Sequence, residues 1–142
     1  GLILFGKCKC AVCHSGPHFS DFDFHTVVFP QAGFGKNGFG VDYGRFNVTF
    51  DPSDLHKFRT PPLHNVAHTS PYGHSGSVAS LKDAIVAHYD PLSVNQAFEL
   101  DVRGRRELFD RLRAVGAEVP ISAPLSQAEL DDLTQFLRSL SF

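Results

Sequence analysis

Cys10-Ala11-Val12-Cys13-His14 is the stretch on which the reading of this chain turns. Two cysteines separated by two residues and followed at once by histidine meet the requirement for covalent c-type haem attachment. Each thiol adds to one haem vinyl group, and His14 then lies under the iron as its first axial ligand. The other uses of such cysteines fit less well. A zinc site needs a second Cys pair or a spaced His pair, and a thioredoxin-like dithiol needs a βαβ setting. The sequence presents neither. With only three cysteines in the chain, a chance occurrence of the motif is disfavoured. Cys8 is left over and reads as a small buried or half-exposed thiol.

The rest of the composition constrains how such a haem is closed. The chain has 142 residues and reads as one domain, 1–142, large enough for a core and one cofactor. Met is absent, although Met is the usual second ligand in electron-transferring cytochromes c. Eight histidines make His the first candidate in its place. A net charge of −2 leaves no basic footprint for nucleic acid or an anionic membrane surface. No apolar run approaches the roughly 20 residues that a membrane span needs. Leu2-Ile3-Leu4-Phe5 is too short for a signal-peptide core. Haem c is attached outside the bacterial cytoplasm, so the expected product is a mature or trimmed periplasmic chain.

Working outward, Leu2 and Phe5 suit one face of a short helix leading into the haem motif. Residues 15–79 are dense in Gly, Pro, Asn and Asp, with turn signals at Asp51-Pro52-Ser53-Asp54 and Pro61-Pro62. A short strand is expected at Phe46-Asn47-Val48-Thr49-Phe50. So long an irregular stretch is unusual in a compact domain, unless the loops wrap a large flat cofactor. Helical periodicity returns at Ser80, which caps a helix with Asp83 at its third position. Leu81, Ala84, Ile85 and His88 then share one face, and Asp90-Pro91 ends the helix. A further helix is expected over Arg105–Ala114, with Leu108, Phe109 and Leu112 inward. The last starts at Ser126-x-x-Glu129 and carries Leu130, Leu133, Phe136, Leu137 and Leu140 on one stripe. The fold class is mainly α: a cytochrome-c-like haem domain with long irregular loops.

His88 is the leading candidate for second axial ligand, because it sits on the apolar face of a capped helix near its C-terminal end. Tyr89, one step round, competes, since Tyr also ligates haem iron. An open sixth site is the third option. Arg45, Arg59 and Lys57 are candidates to pair the haem propionates, with surface salt bridges the competing use. His18 and His25 follow the motif closely enough to reach the haem edge, with solvent exposure the competing expectation, and His56, His64 and His68 are expected to be ordinary exposed loop side chains.

Phe58-Arg59-Thr60-Pro61-Pro62-Leu63-His64-Asn65-Val66-Ala67-His68-Thr69-Ser70-Pro71-Tyr72-Gly73-His74-Ser75-Gly76 resembles the segment FxxPxLRNVxxTxPYxHxG of the bacterial di-haem cytochrome c peroxidases and their MauG relatives. Asp42-x-Gly44-Arg45 before it and the helix to His88 after it also fit. The resemblance implies the C-terminal, electron-delivering half of a two-haem architecture, whose N-terminal haem meets hydrogen peroxide. Its second ligand, Met or Tyr, falls seven residues after the helix-opening Leu, which here is His88. The resemblance further implies a structural role for His74 beside the haem. It also raises a calcium held partly by the backbone carbonyls of Thr69 and Pro71, with the remaining ligands outside this chain. His64 stands where the family has Arg, which leaves Arg59 as a substitute at a propionate. The implied partners are a small redox donor, a cytochrome or cupredoxin, and a peroxidatic haem on another domain or chain. No catalytic acid/base carboxylate has a counterpart here. The alternative is a stand-alone mono-haem carrier subunit of a larger redox complex, without peroxidase activity.

Overall fold

A computed structural model describes residues 1–32, 41–96, 98–116, 119 and 125–142. Its helices are α1 (Leu2–Lys7), α2 (Cys10–Cys13), α3 (Phe46–Thr49), α4 (Leu81–Tyr89), α5 (Pro91–Gln96), α6 (Val102–Arg113) and α7 (Gln127–Arg138). Two-residue strands β1 (Phe24–His25) and β2 (Phe58–Arg59) pair antiparallel, Phe24 opposite Arg59 and His25 opposite Phe58. The mainly helical, loop-rich reading of the sequence therefore holds.

The best-capped helices carry the frame. Ser126 accepts from the Glu129 backbone N–H, and the Glu129 carboxylate returns to the Ser126 N–H, a complete capping box. The stripe behind it buries Leu130, Leu133 and Leu137. Leu133 and Leu137 join Phe5 of α1, Leu63 and Val66 in one core cluster. The Phe5 ring packs against Phe136 at 5.2 Å, so α1 and α7 are locked together through aromatic contact. Helix α4 starts on Ser80, whose side chain accepts from the Asp83 N–H, and packs on both α5 and α7. Asp90 ends α4 and its carboxylate accepts from the Ser93 N–H at 3.2 Å. Pro91 thus opens α5 as well as stopping α4, as suits proline in a first helical turn.

The loops between residues 15 and 79 are stapled by side chain to backbone bonds across long sequence separations. The Ser20 hydroxyl donates to the Thr60 carbonyl at 2.8 Å. Buried Asn95 of α5 donates to the carbonyls of Val28 (3.0 Å) and Pro91 (2.7 Å). Such bonds satisfy backbone acceptors that no regular ladder serves.

Two expectations are corrected. Residues 46–50 form the helical turn α3, not a strand: the alternating Phe46, Val48 and Phe50 have no facing sheet, and Val48 and Phe50 are exposed. Local polar bonds decide the conformation. The Asp42 carboxylate accepts from the Gly44 N–H at 2.7 Å and from the Asn47 amide at 2.8 Å. Gly44 itself has φ +65°, with no room for a side chain against the Lys57 carbonyl. Helix α6 begins at Val102, three residues before the expected start, because Asp101 caps it by accepting from the Gly104 N–H at 2.7 Å. Phe109 is not inward but 58% exposed, and the buried residue of α6 is Arg111.

Two measurements test this account. Leu133→Ala should cost about 2–5 kcal/mol of unfolding free energy, and Ser126→Ala about 1 kcal/mol. Denaturant unfolding of the two variants checks the order, and equal losses would contradict the placement of the core. The second concerns Asp42. Partial burial alone raises its pKa, but the Gly44, His74 and Asn47 donors outweigh this and hold it below the usual carboxylate range. A depressed folded pKa stabilises the fold above about pH 4, and that contribution is lost as the pH falls through the lowered value. Asp42→Asn should therefore flatten the acid limb of the stability curve. Parallel curves for parent and variant would refute it.

Candidate functional site

Where a single continuous core would close, the chain leaves a cavity of about 470 Å³, within the range of small-molecule and cofactor sites. Its apolar walls come from Phe5, Leu63 and Val66, from Leu133 and Leu137 of α7, and from Leu81, Ala84 and Ile85 of α4. His14, His88, Cys10 and Cys13 face into this space.

The chain reaches His14 by a reversal. Lys9 adopts φ 58° between α1 and α2, which turns the motif back toward the cavity. α2 is a single turn, and the His14 N–H closes it on the Cys10 carbonyl at 2.8 Å. The His14 ring donates from Nδ1 to the Phe19 carbonyl at 3.0 Å. His88 donates from Nδ1 to the Ala84 carbonyl one turn back, at 2.8 Å. A carbonyl only accepts, so both bonds place the ring proton on Nδ1 and leave Nε2 with its lone pair.

The two ring centroids lie 6.4 Å apart, with the ring planes inclined at 62°. Metal–imidazole bonds run about 2.0–2.1 Å and the centroid lies about 1.1 Å behind the nitrogen, so two imidazoles on opposite sides of one metal ion sit about 6.2–6.4 Å apart. Burial also holds both imidazoles neutral, pushing His14 down and His88 down to about 4. Only the neutral form binds a metal. The residues present fit a haem c: paired thiols, two neutral imidazoles with Nε2 unprotonated, and apolar walls on one cavity.

Cys10 and Cys13 are half-buried and form no disulfide among the described residues, and burial pushes the Cys10 thiol up to about 11. Cys8 is half-buried and also lines the cavity. Tyr89 lines it too, half-buried at the end of α4. Cys13 lies close to Asp21 and His25, and the His25 ring donates to the Asp21 carboxylate at 2.7 Å. Asp21 and His25 thus form a polar edge beside Cys13.

The remaining sequence candidates divide. Arg59 lines the cavity with its guanidinium 4.7 Å over the Phe22 ring. Arg45 and Lys57 do not line it; both turn to Asp54, at 3.1 Å and 3.6 Å. His74 lines it while donating to Asp42 at 2.8 Å and stacking 4.0 Å from the Phe58 ring. Thr69 and Pro71 border it, and the Thr69 hydroxyl is spent on the Val66 carbonyl at 3.1 Å. His18 and His68 are exposed, as expected. His25 is half-buried, as is His64, which donates to the Pro17 carbonyl at 2.7 Å. His56 is corrected more strongly: it is 6% exposed and lines the cavity. Arg111 is a lining residue that the sequence reading missed. Its signal was position, because it lies three residues after Leu108 on the inward side of α6.

No family model matches the chain. A cytochrome-c peroxidase of Denitromonas iodatirespirans is 32% identical over 165 residues, covering 99% of this chain and 39% of that protein. The cytochrome c551 peroxidase of Pseudomonas aeruginosa is 44% identical over 88 residues, 60% of this chain and 25% of that protein. The methylamine utilization protein MauG of Methylorubrum extorquens is 33% identical over 136 residues, 89% and 36% of the two chains. The crystal structure of a MauG-like protein associated with microbial copper homeostasis superposes with TM-score 0.71 and 26% identity, over 97% of this chain and 44% of that one. The chain spans less than half the length of each of these relatives.

Proposed function

This chain belongs to the bacterial di-haem cytochrome c peroxidase and MauG family, fitting its C-terminal haem domain, and on that premise we propose that it is a haem c electron-transfer domain. The observation that carries the reading is the neutral pair His14 and His88 on one cavity, with each Nδ1 tied to a carbonyl and ring centroids 6.4 Å apart, a separation that two imidazoles on one metal ion would have.

In this reading Cys10 and Cys13 would attach the haem covalently, and His14 and His88 would be the ligands to its iron. Haem c supplies a one-electron iron couple. The chain's residues do the rest by staying still. Backbone carbonyls fix both imidazole orientations, so neither ligand moves on redox change. Leu63, Val66, Leu81, Ile85 and Leu133 keep water out. Arg59, which lines the cavity, would pair a propionate, and His74, braced by Asp42 and Phe58, supports the wall. Calcium at the carbonyls of Thr69 and Pro71 needs further oxygen ligands, since calcium takes six to eight; these come from outside this chain.

Electrons arrive from a small periplasmic cytochrome or cupredoxin and leave for a peroxidatic haem on another domain or chain. Among the described residues no helix is long and apolar enough to cross a membrane. Two imidazoles give a lower potential than an imidazole and a thioether, within the ~0.8 V over which axial ligands tune haem. That low potential favours a second reading, a mono-haem carrier subunit without peroxidase activity. Intact mass with a haem count on the native protein separates the two: a second haem on the same polypeptide supports the peroxidase, one haem alone the carrier.

His88→Ala should convert a six-coordinate low-spin spectrum to high-spin, and His88→Met should raise the midpoint potential. Optical and electron paramagnetic resonance spectra read the first, and spectroelectrochemistry the second. A low-spin spectrum retained in His88→Ala, with Tyr89 also replaced by Phe, would remove His88 from the iron.

A further inference from the structure

One wall of the cavity holds a cation with no ion-pair partner among the described residues: the Glu107 carboxylate bears on it electrostatically but is itself bonded to Arg103 at 2.8 Å. Arg111 of α6 is 6% exposed and lines the cavity. Its Nη1 donates to the Phe29 carbonyl at 2.5 Å and its Nε, over a long 3.4 Å, to the Glu107 carbonyl. Both acceptors are neutral, and Nη2 has no partner among the described residues. None of the described carboxylates lies within ion-pair distance of this guanidinium. The Phe29 ring lies edge-on to His88, 5.6 Å between centroids, so the residue that anchors Arg111 through its carbonyl also packs on His88 through its side chain.

His56 lines the same cavity and is equally buried. Among the described residues its ring makes no hydrogen bond, and Nδ1 is buried and unpaired. Burial first, and the nearby Arg111 charge second, disfavour its protonation, so it is a neutral donor within the field of the arginine. Buried charges and buried polar rings are normally paired. Here a fixed cation and an unspent imidazole share one cavity wall, while Arg45 and Lys57 are occupied at Asp54.

We propose that Arg111 and His56 form a buried carboxylate-binding site that takes a propionate of the cofactor. The inference rests on the haem reading given above. Arginine suits the task because its planar fork meets a carboxylate with two parallel bonds. The site also has a redox consequence: a fixed cation near the iron favours the reduced state and offsets part of the lowering caused by two imidazoles.

The test uses the haem-bearing protein. Arg111→Gln, Arg111→Lys and His56→Phe are made, covalent haem is verified by pyridine haemochrome, and midpoint potential and redox-difference infrared spectra are recorded. In Arg111→Gln the oxidised-to-reduced ratio at fixed potential should rise three- to tenfold, up to about 59 mV for a one-electron couple. The propionate carboxylate band should shift with it. Arg111→Lys should recover much of the potential, and His56→Phe should show a smaller shift of the same sign. A structural role alone would not move the propionate band. Should Arg111→Gln fail to accumulate, His56→Phe carries the same readouts. Covalent haem with an unchanged potential and propionate band in every variant obtained overturns this inference and leaves the haem reading standing. Absence of covalent haem from the unaltered protein overturns both.

Discussion

The structure depends on holding two neutral imidazoles, those of His14 and His88, with their ring centroids 6.4 Å apart on one cavity. Neither ring is packed by its partner alone. The His14 ring is fixed by the Phe19 carbonyl and the His88 ring by the Ala84 carbonyl, so each orientation is set on its own side of the gap. The two supports are unlike. One is a bend in the loop after the motif and the other a turn of helix. Their agreement on a 6.4 Å separation requires that α4 and the α1–α2 hairpin be placed relative to each other with little tolerance. α7 supplies that placement, because it packs against both α1 and α4.

This explains why the core is a shell. Leu133 and Leu137 bury against Phe5, Leu63 and Val66, yet the same residues line the cavity. Each therefore packs against protein on one flank and faces the cofactor space on the other. Apolar area removed from water by the cofactor adds to what the chain buries by itself. The long irregular stretch then ceases to be anomalous. Its backbone groups are satisfied by Ser20, Asn95, Arg111 and other side chains reaching across the loops, instead of by ladders.

What was legible in the sequence was local. The cysteine spacing, the Ser80 and Ser126 caps, the inward stripe of α7 and the placing of His88 among the apolar residues of α4 all lie within one or two turns of chain. What was illegible depended on distant partners. Arg111 meets Phe29 across 82 residues, and His56 is buried by contacts that no spacing rule encodes. Residues 46–50 alternate as a strand does, but strand pairing needs a neighbour, and Asp42 with Asn47 offered a closer set of bonds. Phe109 failed for the converse reason: its helix buries a charged residue, and hydrophobicity alone assigns the inward face to the wrong side chain.

The choice between His88 and Tyr89 shows how little freedom the frame leaves. Successive helical residues differ by about 100° around the axis, so exchanging the two requires α4 to rotate by more than a quarter turn. Such a rotation would carry Leu81, Ala84 and Ile85 off the cavity wall, and Ser80 and Asp83 off the cap. The His88 Nδ1 bond to Ala84 is itself a product of the existing register, since it joins residues one turn apart on the inward face. A phenol at position 89 reaches the cavity only from its border. The same helix phase that buries the apolar stripe therefore decides which side chain of α4 is presented to the cavity. Under the proposed haem ligation, the low potential expected of two imidazoles would follow from the packing of α4 as much as from the chemistry of the side chain.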